Sequence, residues 1–216
     1  MADGMRRCAA CRSETSVTAG TIFAGTRTPL RRAMVLPGRE LLSGAVEVDE
    51  SYIGARQLGS GGLGAGGKAI VAIAVEGDQA PERVRMRRIP DVTKDALTGF
   101  VLDHVAPGTE VRTDGWQGYF DFGRHRFKHV ITNVSASDDP GHVVLPHVHL
   151  VASLVKRWIL GTHQGAISHA QFDYYLDEFT FRFNRRHSRH RGLLFYRLLE
   201  GSVSPPYRAL TSESAA

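Results

Sequence analysis

Three runs with strand character, residues 47–53, 68–76 and 83–89, follow one another before any helical pattern begins, and that order limits the fold of this 216-residue chain more than any other feature. Between the first two lies GSGGLGAGG, residues 59–67, a flexible hairpin loop by composition. It lacks the Gly-Lys-Ser/Thr ending and the strand-to-helix context of a phosphate-cradling loop, so it reads as a tether. The third run alternates weakly, with Val84, Met86 and Arg88 set against Arg83, Arg85 and Arg87. Thr93 then offers an N-cap to a helix carrying Leu97, Phe100, Val101 and Val105, stopped by Pro107 and Gly108. A strand at 110–114 ends at the turn-prone Gly115-Trp116-Gln117-Gly118, and a short strand at 128–132 leads into a Ser, Asp, Pro and Gly loop at 135–141. Helices follow at about 149–161 and about 168–185. Three strands, a helix, two strands and two helices make an α/β layer fold. No internal repeat is present.

The length suits one sizeable domain with an ordinary core. Apolar residues at 42% and charged residues at 23% lie near soluble globular averages and exclude wholesale disorder. The longest apolar run, AIVAIAV at residues 69–75, falls far short of the roughly 18–20 residues that span a bilayer. The opening MADGMRRCAACRSETS has no apolar block after its basic residues and so does not resemble a secretory signal. The expected location is the cytoplasm, with no membrane partner. A net charge of +5 suits a polyanionic partner, nucleic acid first, and equally suits a basic solvated surface.

The stretch VEVDESYIG, residues 46–54, threads three acids through an otherwise apolar strand, with Asp49 in its middle. Asp114 sits at the end of the fourth strand, where Val111 and Thr113 flank Arg112. If the first and fourth strands are neighbours, the two carboxylates converge near one edge of the core. Close carboxylates raise each other's pKa, a cost that bound Mg²⁺ or Mn²⁺ removes. Two such ions about 3.5–4 Å apart activate a nucleophile and stabilise the leaving oxygen of a phosphodiester. By periodicity alone, both residues read as well as ordinary strand-end acids in turns.

The pieces VEVDESYIGA, VRTDGWQGY, LPHVHLVASLVKRWILGTHQGAIS and YLDEFTFRFNRRHSRHRGLLFYRLLE resemble, in order, the signature blocks of the ISXO-type bacterial insertion-sequence transposases, over about residues 44–200. The resemblance implies a ribonuclease H-like α/β fold, a mixed sheet of three antiparallel strands followed by parallel strands and flanked by helices. It also implies a divalent-metal-dependent DNA transposase of the DDE type, which cleaves DNA strands and transfers the ends of an insertion sequence. Asp49 and Asp114 would be its metal-binding aspartates, holding a two-metal Mg²⁺ or Mn²⁺ site. The third position of such enzymes lies seven residues ahead of a Lys-Arg pair; counting back from Lys156 and Arg157 lands on His149, with 34 residues between it and Asp114. Here the sequence departs from the acidic pattern, and magnesium affinity should suffer, because imidazole brings no negative charge. His149, Ser153 and Lys156 share a helix face, so His149 is expected to face the acids and Lys156 a phosphate, with Leu150, Leu154, Trp158 and Ile159 toward the core. A helix N-terminal residue that merely hydrogen-bonds locally is the plainer account of His149.

Glu178 is expected to pair with Arg182 at i+4 rather than reach the metals. Asn184 fixes the helix end or touches DNA. The run RFNRRHSRHR, residues 182–191, holds five arginines and two histidines; Arg182, Arg185 and Arg186, with Lys156 and Arg157, are the candidate DNA contacts, and Phe181, Phe183 or Trp158 the candidates for stacking on an unpaired base. Cys8 and Cys11 have the spacing of half a zinc ribbon, but four ligands are needed and these are the only cysteines, so zinc is not expected. Relatives carry a further pair upstream, and a helical DNA-binding stretch where TRTPL here runs straight into RRAMV. The expected organisation is therefore a poorly ordered remnant of a zinc-ribbon and DNA-binding leader at 1–44, the catalytic domain at 45–200 and a tail at 201–216. DNA, as insertion-sequence ends and target, is the expected partner, with a homodimer in a synaptic complex. The alternative function is a truncated, catalytically inactive DNA-binding remnant; an unrelated ribonuclease H-like nuclease acting on RNA or junctions fits the order of the blocks poorly.

Overall fold

The computed structural model describes residues 5–7, 14–16, 34, 39–54, 68–119, 122–132, 141–163 and 172–203. Cys8 and Cys11, the glycine loop at 59–67, the junction at 26–33 and most of the expected tail lie outside the described residues. The chain forms two units, Pro37–Arg189 and Met1–Leu36 with His190–Ala216. The second unit contains an antiparallel pair, β1 (Met5–Arg7) and β2 (Glu14–Ser16), and the last helix, α5 (Arg191–Val203).

The Pro37–Arg189 unit is built on β3 (Ala45–Ile53), β4 (Ala69–Glu76), β5 (Arg83–Ile89), β6 (Glu110–Thr113) and β7 (Lys128–Ile131). They lie side by side in the order β5-β4-β3-β6-β7. The first three are antiparallel, and β3 to β6 and β6 to β7 are parallel. This is the ribonuclease H-like mixed sheet. The α1 helix (Lys94–His104) covers one face; α3 (Pro146–His163) and α4 (Phe172–Asn184) cover the other, with the short α2 (Gly141–Val144) leading into α3.

Strand alternation splits the core in two. Val71, Ile73 and Val75 of β4 point to α3 and α4, where they meet Val148, Val151, Val155, Ile159, Leu176 and Phe179. Ala72 and Ala74 point to the other face, and their small side chains leave room for Leu97, Phe100 and Val101 of α1 against Val46 and Val48 of β3. The α3 stripe at 148, 151, 152, 155 and 159 is the apolar face of an amphipathic helix. Leu150 falls outside that stripe and is 47% exposed, contrary to its expected place in the core.

Several boundaries differ from those read off the sequence, each for a local reason. Thr93 does stand at the N-cap of α1 but makes no capping hydrogen bond; its hydroxyl donates to Asp91 instead. The helix ends at His104, ahead of Pro107, because Val105 leaves to bridge Leu42 in extended conformation. The α3 helix starts at Pro146 rather than near His149, proline being well suited to the first helical position, where no N–H is required. The expected start of α4 at Ser168 lies outside the described residues.

Two tertiary ties close the unit. Asn184, the last residue of α4, accepts from the Val84 N–H at 2.7 Å and donates from Nδ2 to the Val84 carbonyl at 3.1 Å. Its carboxamide thus completes the open edge of β5, where the Val84 N–H would otherwise be unpaired and the carbonyl would keep only the bond from Arg85. Arg186 donates to the Glu82 and Phe183 carbonyls at 2.9 Å each and to the Pro81 carbonyl, fastening the end of α4 to the turn before β5.

Candidate metal centre

The parallel pairing of β3 with β6 matches Val46 to Val111 and Glu47 to Arg112. Carrying that offset forward sets Asp49 beside Asp114, on the face shared with Glu47, in strands whose ordinary spacing is about 4.8 Å. Asp114 is the first residue past β6, and Gly115 follows with φ +85°, so the chain turns away immediately. The turn is held by the Asp114 carboxylate, which accepts from the Trp116 N–H at 2.9 Å. The other Asp114 oxygen carries no bond from that turn.

Asp49 faces α3. His149, in the first turn of that helix, places Nε2 3.8 Å from the Asp49 Oδ2; the imidazole is 38% and the carboxylate 18% exposed. Burial is the largest influence on Asp49 and, with the neighbouring charges of Glu50 and then Asp114, pushes its carboxyl up to about 7. Opposing this are the bond it accepts from the Glu50 N–H, at 2.8 Å, and the positive charge of Lys156. Asp49 and His149 therefore form a close pair with Asp114 alongside. Among the described residues, no three His, Cys, Asp or Glu side chains are drawn together tightly enough to enclose an ion. The donors themselves, the carboxylates of Asp49 and Asp114 and the imidazole of His149, are of the kinds that bind a divalent cation such as Mn²⁺.

Glu50, on the opposite face of β3, is a group that sequence reasoning passed over. Its carboxylate accepts from the Tyr119 hydroxyl, and Tyr119 is fully buried among the residues that pack on α1. Burial raises the Glu50 carboxyl above its ordinary range, the Tyr119 bond counteracts it, and Asp114 adds a further rise. Tyr119, through burial first and the Glu50 charge second, is held well above its usual pKa and stays a donor. The bond thus joins the strand bearing Asp49 to the segment just after Asp114. Tyr119→Phe should leave the half-buried Glu50 without that donor, at a cost of about 1–3 kcal/mol. In a thermal melt this reads as a fall in Tm of roughly 2–12 °C; an unchanged Tm would show that the bond contributes nothing.

Glu47 is the other residue passed over: 2% exposed and on the Asp49 face, it accepts from the backbone of α3. One signal was available. Glu47 has the same strand parity as Asp49, and an acid at a core-facing strand position must find donors or a counter-charge.

The expected basic contacts fall into two groups. Lys156 and Arg157 lie exposed on α3. Arg182 pairs with Glu178 at 3.4 Å, as the i+4 spacing suggested, and Arg185 lies over the Phe181 ring at 4.2 Å. Arg186 lies over Phe183 at 4.0 Å and is engaged with the turn before β5. The three aromatic candidates for base stacking are used internally. Phe181 and Phe183 are buried, and Trp158 packs on Tyr175 and Phe179 with centroids at 6.2 and 5.8 Å.

Comparison with known proteins gives a match of residues 41–184 to the family model described as the ISXO2-like transposase domain. No curated protein matches the chain. Among solved structures, the catalytic core domain of BIV integrase is similar at 12% identity and a TM-score of 0.41, covering 73% of this chain and 95% of that one. The HTLV-2 integrase catalytic core domain in complex with magnesium is similar at 10% identity and a TM-score of 0.42, covering 70% and 92%. A simian T-cell lymphotropic virus intasome in complex with PP2A regulatory subunit B56 gamma matches at 11% identity and a TM-score of 0.46, covering 79% of this chain and 58% of that one. Among the described residues no helix is long and apolar enough to cross a membrane.

Proposed function

The chain belongs to the ISXO2-like transposase domain family, and from that premise we propose that its ribonuclease H-like unit cuts DNA and joins the ends of an insertion sequence to a target, with divalent metal. The observation that carries this reading is the loading of acid onto one place. Asp49 is desolvated, with the charges of Glu50 and Asp114 acting on it, and retains its proton up to about pH 7. Such a carboxylate is stabilised when a cation takes the proton's place. Asp49 and Asp114 would hold Mg²⁺ or Mn²⁺, and His149 would complete the set, its nitrogen suiting Mn²⁺ better than Mg²⁺. The bound ion supplies Lewis-acid polarisation of a phosphodiester and activation of water or a DNA 3′-hydroxyl.

The chain's own residues bind and orient the substrate. Lys156, on the His149 face of α3, neutralises a phosphate near the acids, and Arg157, Arg182 and Arg185 extend the contact along the backbone. Binding of this kind is sequence-blind and weakens steeply with salt. Arg186 is assigned to holding α4 in place. Joining two ends of an element calls for two such units, so a dimer on paired DNA ends is part of the reading.

Nicking of supercoiled plasmid in Mn²⁺ tests it. The unaltered protein should nick, and Asp49→Ala and Asp114→Ala should each fall by about 100-fold or more, since several kcal/mol of charge stabilisation go with the ion. Equal nicking by all three rejects catalysis at this site and leaves a non-catalytic DNA-binding protein.

A further inference from the structure

Glu47 stands two residues before Asp49 on the same face of β3 and is 2% exposed. Its Oε2 accepts from the backbone N–H groups of His147 and Val148 at 2.8 and 2.9 Å, two amides of the first turn of α3. Its other oxygen lies 3.3 Å from the His147 Nδ1, a proximity of charge without hydrogen-bond geometry, since that nitrogen has no hydrogen-bond partner. The first amides of a helix have no partner within it, and the helix dipole favours an anion there. A strand residue thus does what an N-cap does elsewhere, from one hundred residues away in the chain. Two residues further along both elements, His149 meets Asp49 at 3.8 Å.

We propose that Glu47 is the positioning residue of the centre: by holding the amides of 147 and 148 it fixes the placement and rotation of α3 that set His149 against Asp49. The helix begins with Pro146 and has no acidic residue in its first turn, so the anion at that end comes from β3. Because the bonds run from the strand that carries Asp49, any shift of α3 along β3 must break them before His149 can move. Glu47 touches no substrate in this scheme and acts through His149. The inference rests on the reading of Asp49, Asp114 and His149 as the cation-holding set.

The intact chain loaded with Mn²⁺ and studied by pulsed EPR tests it through the ¹⁴N coupling of a directly bound imidazole. The unaltered protein should show a coupling that His149→Ala removes. Glu47→Gln, whose amide oxygen still accepts from both N–H groups, should keep it. Glu47→Met, of similar length but without an acceptor, should lose it while circular dichroism stays that of the folded protein. A residue that only stabilised the fold would lower Tm in Glu47→Met and leave the coupling intact, and that result overturns the proposal. Should Glu47→Met not fold, Glu47→Asp carries the same test, its shorter carboxylate being drawn back from both amides: loss of the coupling supports the proposal and full retention overturns it. Absence of any coupling in the unaltered protein that His149→Ala removes would instead overturn the metal-centre reading, and the role of Glu47 with it.

Discussion

Asp49→Asn should make the metal-free protein more stable at pH 8 while abolishing Mn²⁺-dependent nicking. The Asp49 carboxyl titrates at about 7 in the folded protein, against 3.8 ordinarily. A folded-state pKa raised above the unfolded one means that the native protein binds the extra proton between those values. The stability Asp49 contributes is then fully present below pH 4 and is lost as pH rises through 7. The loss is on the order of 3–4 kcal/mol. Asparagine resembles the protonated acid and does not titrate, so its stability should not fall over that window. At pH 8 the variant should melt roughly 6–15 °C above the unaltered metal-free protein, and the two should converge near pH 4. Saturating Mn²⁺ should narrow the gap at pH 8 by stabilising only the protein that binds it. Equal melting temperatures at pH 8 without metal would mean that the acids around Asp49 impose no such strain, and would remove the main support for a cation site.

Asn184→Ala should destabilise the fold by uncapping the edge of β5. It removes both bonds to Val84 and leaves the buried Val84 N–H at the edge of β5 without a partner, while the carbonyl keeps the bond it accepts from the Arg85 guanidinium at 3.0 Å. Stranding one such group costs about 1–3 kcal/mol, or roughly 2–12 °C in Tm. Circular dichroism melting reads this directly. A variant with unchanged Tm and weakened DNA binding would instead place Asn184 at the DNA, the other role open to it from sequence.

Much of the site is legible in the order of residues because it depends on short-range regularities. A run of alternating residues fixes which side chains share a strand face, and that is enough to put Asp49 and Glu47 together. Helical spacing is equally local, so the common face of His149, Ser153 and Lys156 follows from their separation alone. The same regularity misleads at Leu150, because a helix period does not say which angle faces the core. Nearness to a basic run misleads at Trp158, Phe181 and Phe183, whose rings prove to be the packing between α3 and α4 or the apolar support beneath arginines.

The succession of elements, the parity of the acids on β3 and the position of Asp114 at a strand end are thus properties of the linear chain, since each follows from a residue's neighbours along it. The parallel offset that sets β3 beside β6, the capping of α3 by Glu47, the bond between Tyr119 and Glu50 and the closure of β5 by Asn184 arise only in the folded molecule. Those partners stand from 69 to 101 residues apart in the three side-chain ties. A local pattern can show that a buried carboxylate or a sheet edge needs a donor; which donor arrives depends on how the distant segment packs, and that is set by the whole core at once.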